Sequence, residues 1–224
     1  MKIKKDGEIL VVDAGGTNVK LMIAGRKEPL KIPSGPKMTA RGMVRAVKRV
    51  TRDWAYDRVS IGFPGPVVNG RSSSDPVNLG PGWKGFDFHK AFGRPVKVIN
   101  DAALQALGCY RGGRMLFLGL GTGLGSALIV EGVLQPMELS HLPYKHERTY
   151  EDYLGRRGLE RLGKKRWRRE VLKVADLLKF GLQAEEVVLG GGNAKKLKQI
   201  PPGARLVGND NAFAGGQRLW ETGR

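Results

Sequence analysis

Ile9-Leu10-Val11-Val12-Asp13-Ala14-Gly15-Gly16-Thr17-Asn18-Val19-Lys20 is the stretch whose reading decides the fold. Its apolar start, ended by Asp13, predicts a buried strand that feeds a turn. Leu21-Met22-Ile23-Ala24 then predicts a second strand, so the turn sits inside a hairpin. Gly15 and Gly16 let the backbone come close to an anion, with N–H groups aimed at phosphate oxygens. Thr17 adds a hydroxyl and Lys20 a cation. Asp13 adds a carboxylate able to hold a hydrated Mg2+. The order strand, turn, strand is neither a Walker loop nor a dinucleotide fingerprint, since both of those open a helix.

The same pattern returns further along. Met115-Leu116-Phe117-Leu118 leads into Gly119-Leu120-Gly121-Thr122-Gly123-Leu124-Gly125, and Ser126-Ala127-Leu128-Ile129-Val130 reads as the returning strand, closed by Glu131-Gly132. Strand, Gly/Thr turn and strand thus occur twice, at 9–24 and 115–130, as in an internal repeat. One Gly-Gly-Thr turn is weak evidence, and two are stronger. Two similar α/β halves with a ligand cleft between them are expected, the turns gripping one phosphate chain from both sides.

Between the turns, Met43, Val47, Val50 and Trp54 recur at helical spacing and predict a helix over 39–54. A strand is expected at 59–63, ended by Pro64-Gly65-Pro66, and a loop-rich stretch at 69–87 with Asn69-Gly70 as a hairpin turn. Val96-Lys97-Val98-Ile99 predicts a strand that runs into Asn100-Asp101 and an Ala/Leu-rich helix. Beyond the second turn, helices are expected at 149–162 and 166–180. Thr149 and Asp152 make a capping pair for the first, and Trp167, Val171, Val174 and Leu178 mark the buried face of the second. Short strands at 187–189 and 206–207 and a helix over 211–220 complete the pattern.

Composition narrows the class. The 224 residues are 41% hydrophobic and 27% charged, which is globular composition. The 33 glycines, about twice the usual ~7% share, cluster at 15–16, 62–70, 80–85, 119–125, 190–192 and 215–216. A single cysteine, Cys109, rules out a disulfide within the chain and a thiolate zinc site. Met1–Asp6 lacks the apolar core of a signal peptide, and no apolar run approaches the ~18 residues of a membrane span. A cytoplasmic protein with no membrane association is therefore expected. The net charge of +18 predicts attraction to polyanions without choosing among them. No nucleic-acid motif accompanies it, and aromatic residues make up 7%, with no stacking platform evident.

Several polar residues suit chemistry. Asp101 lies between a strand and a helix, which fits an N-cap and equally a general base for phosphoryl transfer to an alcohol. Glu138 and His141, in Met137-Glu138-Leu139-Ser140-His141, read alone as a solvated loop. Together with Asn100 and Asp101 they form a polar set suited to hydrogen-bonding a polyol.

These motifs, in this order and over nearly the whole chain, resemble the ROK family (repressors, open reading frames and kinases) of the sugar kinase/Hsp70/actin-like fold. Asp13–Lys20 resembles the family's first phosphate motif, and Gly121–Gly125 its second. Gly62-Phe63-Pro64-Gly65-Pro66 and Asn78-Leu79-Gly80-Pro81-Gly82-Trp83 resemble its sugar-side loops. Asn100-Asp101-Ala102 resembles the segment with the catalytic base. Glu138-Leu139-Ser140-His141 is similar to its Glu-x-Gly-His segment, with Ser140 in place of glycine, and Gly190-Gly191-Gly192-Asn193 resembles its adenosine-side loop.

The resemblance implies two actin-like (ribonuclease H-like) subdomains, 1–103 completed by 211–224, and 104–210. It implies a glucokinase-type enzyme in which Asp101 deprotonates the 6-hydroxyl of glucose or a related hexose. Asn78, Asn100, Asp101, Glu138, His141 and Glu151 would hold the sugar. Asp13, Gly15, Gly16, Thr17, Lys20, Gly121, Thr122 and Gly123 would hold the donor phosphates, and Gly190, Gly191, Gly192 and Asn193 a nucleotide. The donor would be ATP or inorganic polyphosphate with Mg2+, and the chain a homodimer. The stretch Leu142–Glu147 lacks the cysteines of the family's zinc motif, so structural zinc is not expected. With the core beginning by Ile9, neither is a preceding helix-turn-helix. This compact form is similar to the polyphosphate glucokinase branch. The cations Arg156, Arg157, Arg161, Lys164, Lys165, Arg166, Arg168 and Arg169 read either as a donor track or as a solvated basic helix pair. Alternatives are an ATP-only kinase for another hexose or amino sugar, and a non-catalytic sugar- or polyanion-binding protein without a specific nucleic-acid partner.

Overall fold

The computed structural model describes residues 8–208 and 210–221; Met1–Asp6 and the last three residues of the expected 211–224 segment lie outside them. In chain order the elements are β1 (Ile9–Ala14), β2 (Asn18–Met22), β3 (Leu30–Pro33), α1 (Ala40–Val50), β4 (Arg58–Phe63), β5 (Val67–Val68), β6 (Arg71–Ser72), α2 (Phe88–Phe92), β7 (Val96–Asn100) and α3 (Asp101–Cys109). There follow β8 (Arg114–Leu120), β9 (Leu124–Val130), β10 (Val133–Met137), β11 (Pro143–Lys145), β12 (Arg148–Thr149), α4 (Tyr150–Leu154), α5 (Arg156–Gly181), β13 (Glu186–Gly190), β14 (Ala204–Leu206) and α6 (Asn211–Glu221).

Two sheets of five strands carry the chain, ordered β3-β2-β1-β4-β7 and β10-β9-β8-β13-β14. In each, a meander of three antiparallel strands is extended by two parallel ones. Order and sense match strand for strand, so the twin turns of the sequence mark a duplicated architecture. The central strands need apolar residues on both faces, and Leu10 to Val12 and Met115 to Leu118 are all fully buried.

Alternation along the first sheet separates its two faces. Leu10, Val12, Val59, Ile61 and Phe63 share a core with Met43 and Val47 of α1 and Phe88 and Phe92 of α2. The other face meets α3 and α6. A Cβ on Gly62 would touch Leu104, and one on Gly216 would strike Val11. Ser60 Oγ donates to Gly216 O at 2.7 Å and accepts from Trp220 Nε1 at 2.8 Å. By internal contacts the chain divides into two units, one running up to Leu104 and resuming at Gly215, the other from Gln105 to Ala214. The boundaries fall inside α3 and α6. The second core joins Leu116 and Leu118 of β8 to Trp167, Val171 and Val174 of α5.

Three expectations change. The helix over 39–54 ends at Val50, where Thr51 Oγ1 turns back to Val47 O at 2.9 Å. Asn18 to Lys20 belong to β2, so the turn proper is Gly15–Thr17. The helix over 149–162 is broken by Gly155, whose extended backbone (φ −72°, ψ −177°) separates α4 from α5. Within α5, Gly163 (φ 70°, ψ 159°) makes a further kink.

Candidate active site

In the first unit the hairpin register sets Asp13 opposite Lys20, and Lys20 Nζ donates to Asp13 Oδ2 at 3.1 Å. The cation and the carboxylate expected to serve phosphate and Mg2+ thus hold each other, with the Asp13 side chain only 13% exposed. The turn closes on Gly15, whose N–H reaches both Asp13 O and Asn18 O at 3.1 Å. Ser34 Oγ donates to Gly15 O at 2.6 Å, and Ser34 N–H donates to Thr17 O at 3.0 Å. Thr17 is exposed at the tip. Asn78 lies directly on this turn: a Cβ on Gly16 would come within 2.7 Å of the Asn78 Cβ.

The loop bearing Asn78 is built on Asp75, a residue the sequence reading passed over. Asp75 Oδ1 accepts from Trp83 N–H at 2.7 Å and Lys84 N–H at 3.0 Å. Those backbone donors hold its carboxyl below the usual range. Trp83, fully buried, packs between Phe63 and Phe88, donates through Nε1 to Met38 O at 3.1 Å, and accepts at its carbonyl from Ser72 Oγ.

Asn100 ends β7, and Asp101 opens α3. Asn100 Oδ1 accepts from the N–H groups of Ala102 (2.8 Å) and Ala103 (3.3 Å), while its Nδ2 donates to Gly65 O at 3.1 Å. Asn100 therefore does the capping that the sequence alone allowed for Asp101. It also ties the Gly65 loop to the head of α3. Asp101 accepts from Ala102 N–H at 2.8 Å and is partly exposed.

The second unit repeats the plan. Gly121 N–H donates to Gly123 O at 3.1 Å, and Thr122 is exposed at the tip. Two side chains fasten this turn. Asn193 Nδ2 donates to Gly121 O at 2.8 Å, and Glu151 Oε2 accepts from Leu124 N–H at 3.2 Å. The Glu151 carboxylate fills the space that a Cβ on Gly123 would take. Asn193, expected beside a nucleotide, is buried and also meets Lys196 Nζ. Gly190 packs on the Phe117 ring, and Gly191, at φ 84°, lies so close to Leu120 O that no side chain fits. Gly192 is exposed.

Glu138 and His141 flank a short 3-10 turn at Leu139–His141, and both are exposed. Ser126 Oγ pins this segment by donating to Met137 O and accepting from Leu139 N–H, both at 3.1 Å. Ser140, the departure from the glycine pattern, is buried and donates to Glu138 Oε2 at 3.4 Å. Loss of hydration pushes the Glu138 carboxyl up. His141 and Ser140 pull it down, and the charge of nearby Glu151 pushes it up again.

The segment after them folds as the β11–β12 hairpin, turned at His146 and Glu147, both with positive φ. Tyr144 stacks on Tyr150 (4.9 Å) and meets Tyr153 edge-on (5.1 Å). Tyr144 Oη and Lys145 Nζ both donate to Glu170 Oε2 at 2.9 Å. Among the described residues no group of three His, Cys, Asp or Glu side chains is placed to hold a metal. Of the basic residues on α5, Arg161 lies over Tyr153 at 4.7 Å and Arg168 donates to Lys196 O at 2.6 Å. Arg156, Arg157, Lys164, Lys165, Arg166 and Arg169 are exposed. No described helix is long and apolar enough to cross a membrane.

The chain resembles known proteins in sequence and in fold. It is 30% identical over 146 residues to the bifunctional enzyme NanE/NanK of Brucella melitensis, a match covering 58% of this chain and 28% of that protein. The chain thus spans under a third of that relative's length. Among solved structures, the inorganic polyphosphate/ATP-glucomannokinase of Arthrobacter sp. strain KM superposes with a TM-score of 0.82 at 25% identity, over 98% of this chain and 100% of the other. A ROK family glucokinase from Streptomyces griseus, in complex with glucose and AMPPNP, gives 0.71 at 20% identity over 95% and 99%. A ROK family transcriptional regulator, a homologue of the E. coli MLC protein, gives 0.71 at 15% identity over 96% and 78%. The sequence model of the ROK family matches residues 9–136, more than half of the chain and a stretch that holds both glycine turns, and the chain therefore belongs to the ROK family.

Proposed function

We propose that this ROK protein is a sugar kinase that transfers a phosphoryl group to the 6-hydroxyl of glucose or a related hexose. The observation that carries the reading is the pair of Gly/Thr hairpin turns, each with its threonine exposed and each fastened by dedicated side chains: Ser34 on the first, Asn193 and Glu151 on the second. A turn held rigid from behind offers backbone N–H groups to phosphate without reorganisation. Gly16 and Thr17, and likewise Thr122 and Gly123, are read as donor-phosphate contacts, while Gly15 and Gly121, whose N–H groups close the turns, hold the shape that presents them.

Asp101 is the proposed general base. Its carboxylate, partly exposed at the head of α3, would take the hydroxyl proton as the new O–P bond forms. Asn78, Glu138 and His141 are the proposed sugar contacts, the last two presenting exposed polar ends. Asn100 and Glu151 act in this account by positioning, one at the head of α3 and the other at the second turn. Gly190 to Gly192 remain the proposed approach to an adenosine moiety.

Asp13 is the proposed Mg2+ contact, through water. A single carboxylate beside a phosphate-binding turn fits Mg2+, which takes one or two carboxylates plus substrate phosphates, and the ion would neutralise donor charge. Lys20 sets the orientation of that carboxylate.

The donor is proposed to be polyphosphate, ATP or both. The exposed cations of α5 and the likeness to a polyphosphate/ATP-glucomannokinase support polyphosphate. A second reading, a sugar-responsive protein without catalysis, draws on the likeness to a ROK regulator. Turnover assays across a panel of hexoses crossed with ATP and long-chain polyphosphate decide between them. Phosphorylation of glucose supports the first reading, and sugar binding without turnover on any donor supports the second.

A further inference from the structure

On the face of the first sheet that carries α1 and α2, away from the face that packs on α3, lies a cavity of about 500 Å³. That volume falls within the ~300–1,000 Å³ of small-molecule sites. Arg41, Arg45 and Lys48 of α1 line one side and Lys90 of α2 the other. The spacing 41, 45, 48 puts three cations on one edge of a helix, over about 10 Å at 1.5 Å per residue.

This arrangement is costly if it is only solvated surface. Helix α1, Ala-Arg-Gly-Met-Val-Arg-Ala-Val-Lys-Arg-Val, contains no acidic residue. Like charges three and four residues apart repel on a helix, and Arg41 stands in the first turn, where the helix dipole disfavours a cation. Among the described residues none of these four cations has an ion pair within 4.0 Å. The carboxylate on the wall, Asp87, is committed: Oδ1 accepts from Lys90 N–H at 2.9 Å and Oδ2 faces Arg71 at 3.4 Å. The remaining wall is apolar, formed by Val44, Ala91 and the half-buried ring of Phe86.

We propose that the α1–α2 groove binds a nucleoside polyphosphate, its phosphates on Arg41, Arg45, Lys48 and Lys90 and its base against Phe86, as a site separate from the kinase chemistry. Cations alone would suit any polyanion. The limited volume of the open groove and the half-buried Phe86 ring on its wall favour a compact ligand with a planar end over a long chain.

The test uses the full chain with ADP, pyrophosphate and adenosine as probes, read by hydrogen exchange and equilibrium dialysis. ADP is expected to slow exchange in segments 41–48 and 86–91. Arg41→Glu with Arg45→Glu should abolish that slowing and weaken the corresponding binding at least tenfold, which corresponds to about 1.4 kcal/mol. Phe86→Leu, which keeps an apolar side chain against the core, should weaken ADP and leave pyrophosphate unchanged. Glucose turnover should be the same in all variants, so this inference and the kinase reading fail separately. No slowing in either segment at saturating ADP, or equal slowing in the charge-reversal variant, overturns the site. Pyrophosphate or long-chain polyphosphate binding as tightly as ADP, indifferent to Phe86, overturns the nucleotide assignment.

Discussion

Replacing Glu151 separates two roles that its position allows. In the structure its carboxylate accepts from Leu124 N–H at 3.2 Å and occupies the space beside Gly123. Leu124 is 4% exposed, so water cannot easily replace the lost acceptor. Glu151→Ala removes a hydrogen bond to a charged group, worth about 1.5–3 kcal/mol, from the stem of the second turn. If that loss is felt in donor binding, the donor KM rises about 10- to 100-fold, at tenfold per 1.4 kcal/mol. The sugar KM should change little, and Glu151→Gln, which keeps an acceptor oxygen, should recover most of the loss. Gly123→Ala supplies the partner for a double-mutant cycle. Its new methyl group would displace the Glu151 carboxylate, so it should mimic Glu151→Ala alone and add little on top of it. Steady-state kinetics on the four proteins, varying donor and sugar separately, read the cycle. Additive effects, or a loss confined to the sugar KM in Glu151→Ala, would refute the positioning role and make Glu151 a sugar contact.

Other substitutions probe the remaining parts. Gly16→Ala places a methyl group 2.7 Å from the Asn78 Cβ, so the Asn78 loop must shift; kcat/KM for sugar should fall while thermal stability changes little. Glu138 reaches the surface, yet partial loss of hydration pushes its carboxyl up. The sugar KM should therefore rise on acidification with its inflection above the ordinary glutamate value of about 4.3, and Glu138→Gln should flatten that profile. Asp75 has its carboxyl held down by backbone donors, so its contribution to stability is present above the unfolded value of about 3.9 and lost as pH falls through the folded one. Asp75→Asn should then shift urea midpoints at pH 7 more than at pH 3; equal shifts would contradict this.

The parts of this fold that show in the sequence are those whose cause is local. The twin hairpins are legible because apolar runs bracket each glycine turn. Asn69-Gly70 is legible because both residues take positive φ, 50° and 70°, as a two-residue hairpin turn requires. The Thr149/Asp152 capping box is likewise written in four consecutive residues. Edge strands are harder to see. Leu-Lys-Ile-Pro of β3 has only two apolar residues, and β10 carries Pro136, which pattern reading treats as a break although an edge strand tolerates it. Gly155 falls within the helical pattern of 149–162, yet a side chain there would strike Thr122 O, far off in sequence. The same distance hides the hold of Asn100 on the Gly65 loop and the duties of Asn193 and Glu151. Their backbone partners lie 35, 72 and 27 residues away, and no spacing rule links them. Asp75 gave no motif at all, only two N–H groups eight and nine residues downstream.

Asp101 is the proposed acceptor of the sugar hydroxyl's proton. Asp101→Asn keeps the shape at the head of α3, and an amide oxygen still able to accept from Ala102 N–H, but removes the base. Turnover of glucose and sugar binding by calorimetry, measured on the same preparation, test it most directly. With Asp101 as the base, kcat is expected to fall by about 10²–10⁴-fold, the range for a lost general base, with glucose affinity within a few-fold of the parent. Undiminished turnover in Asp101→Asn would contradict it.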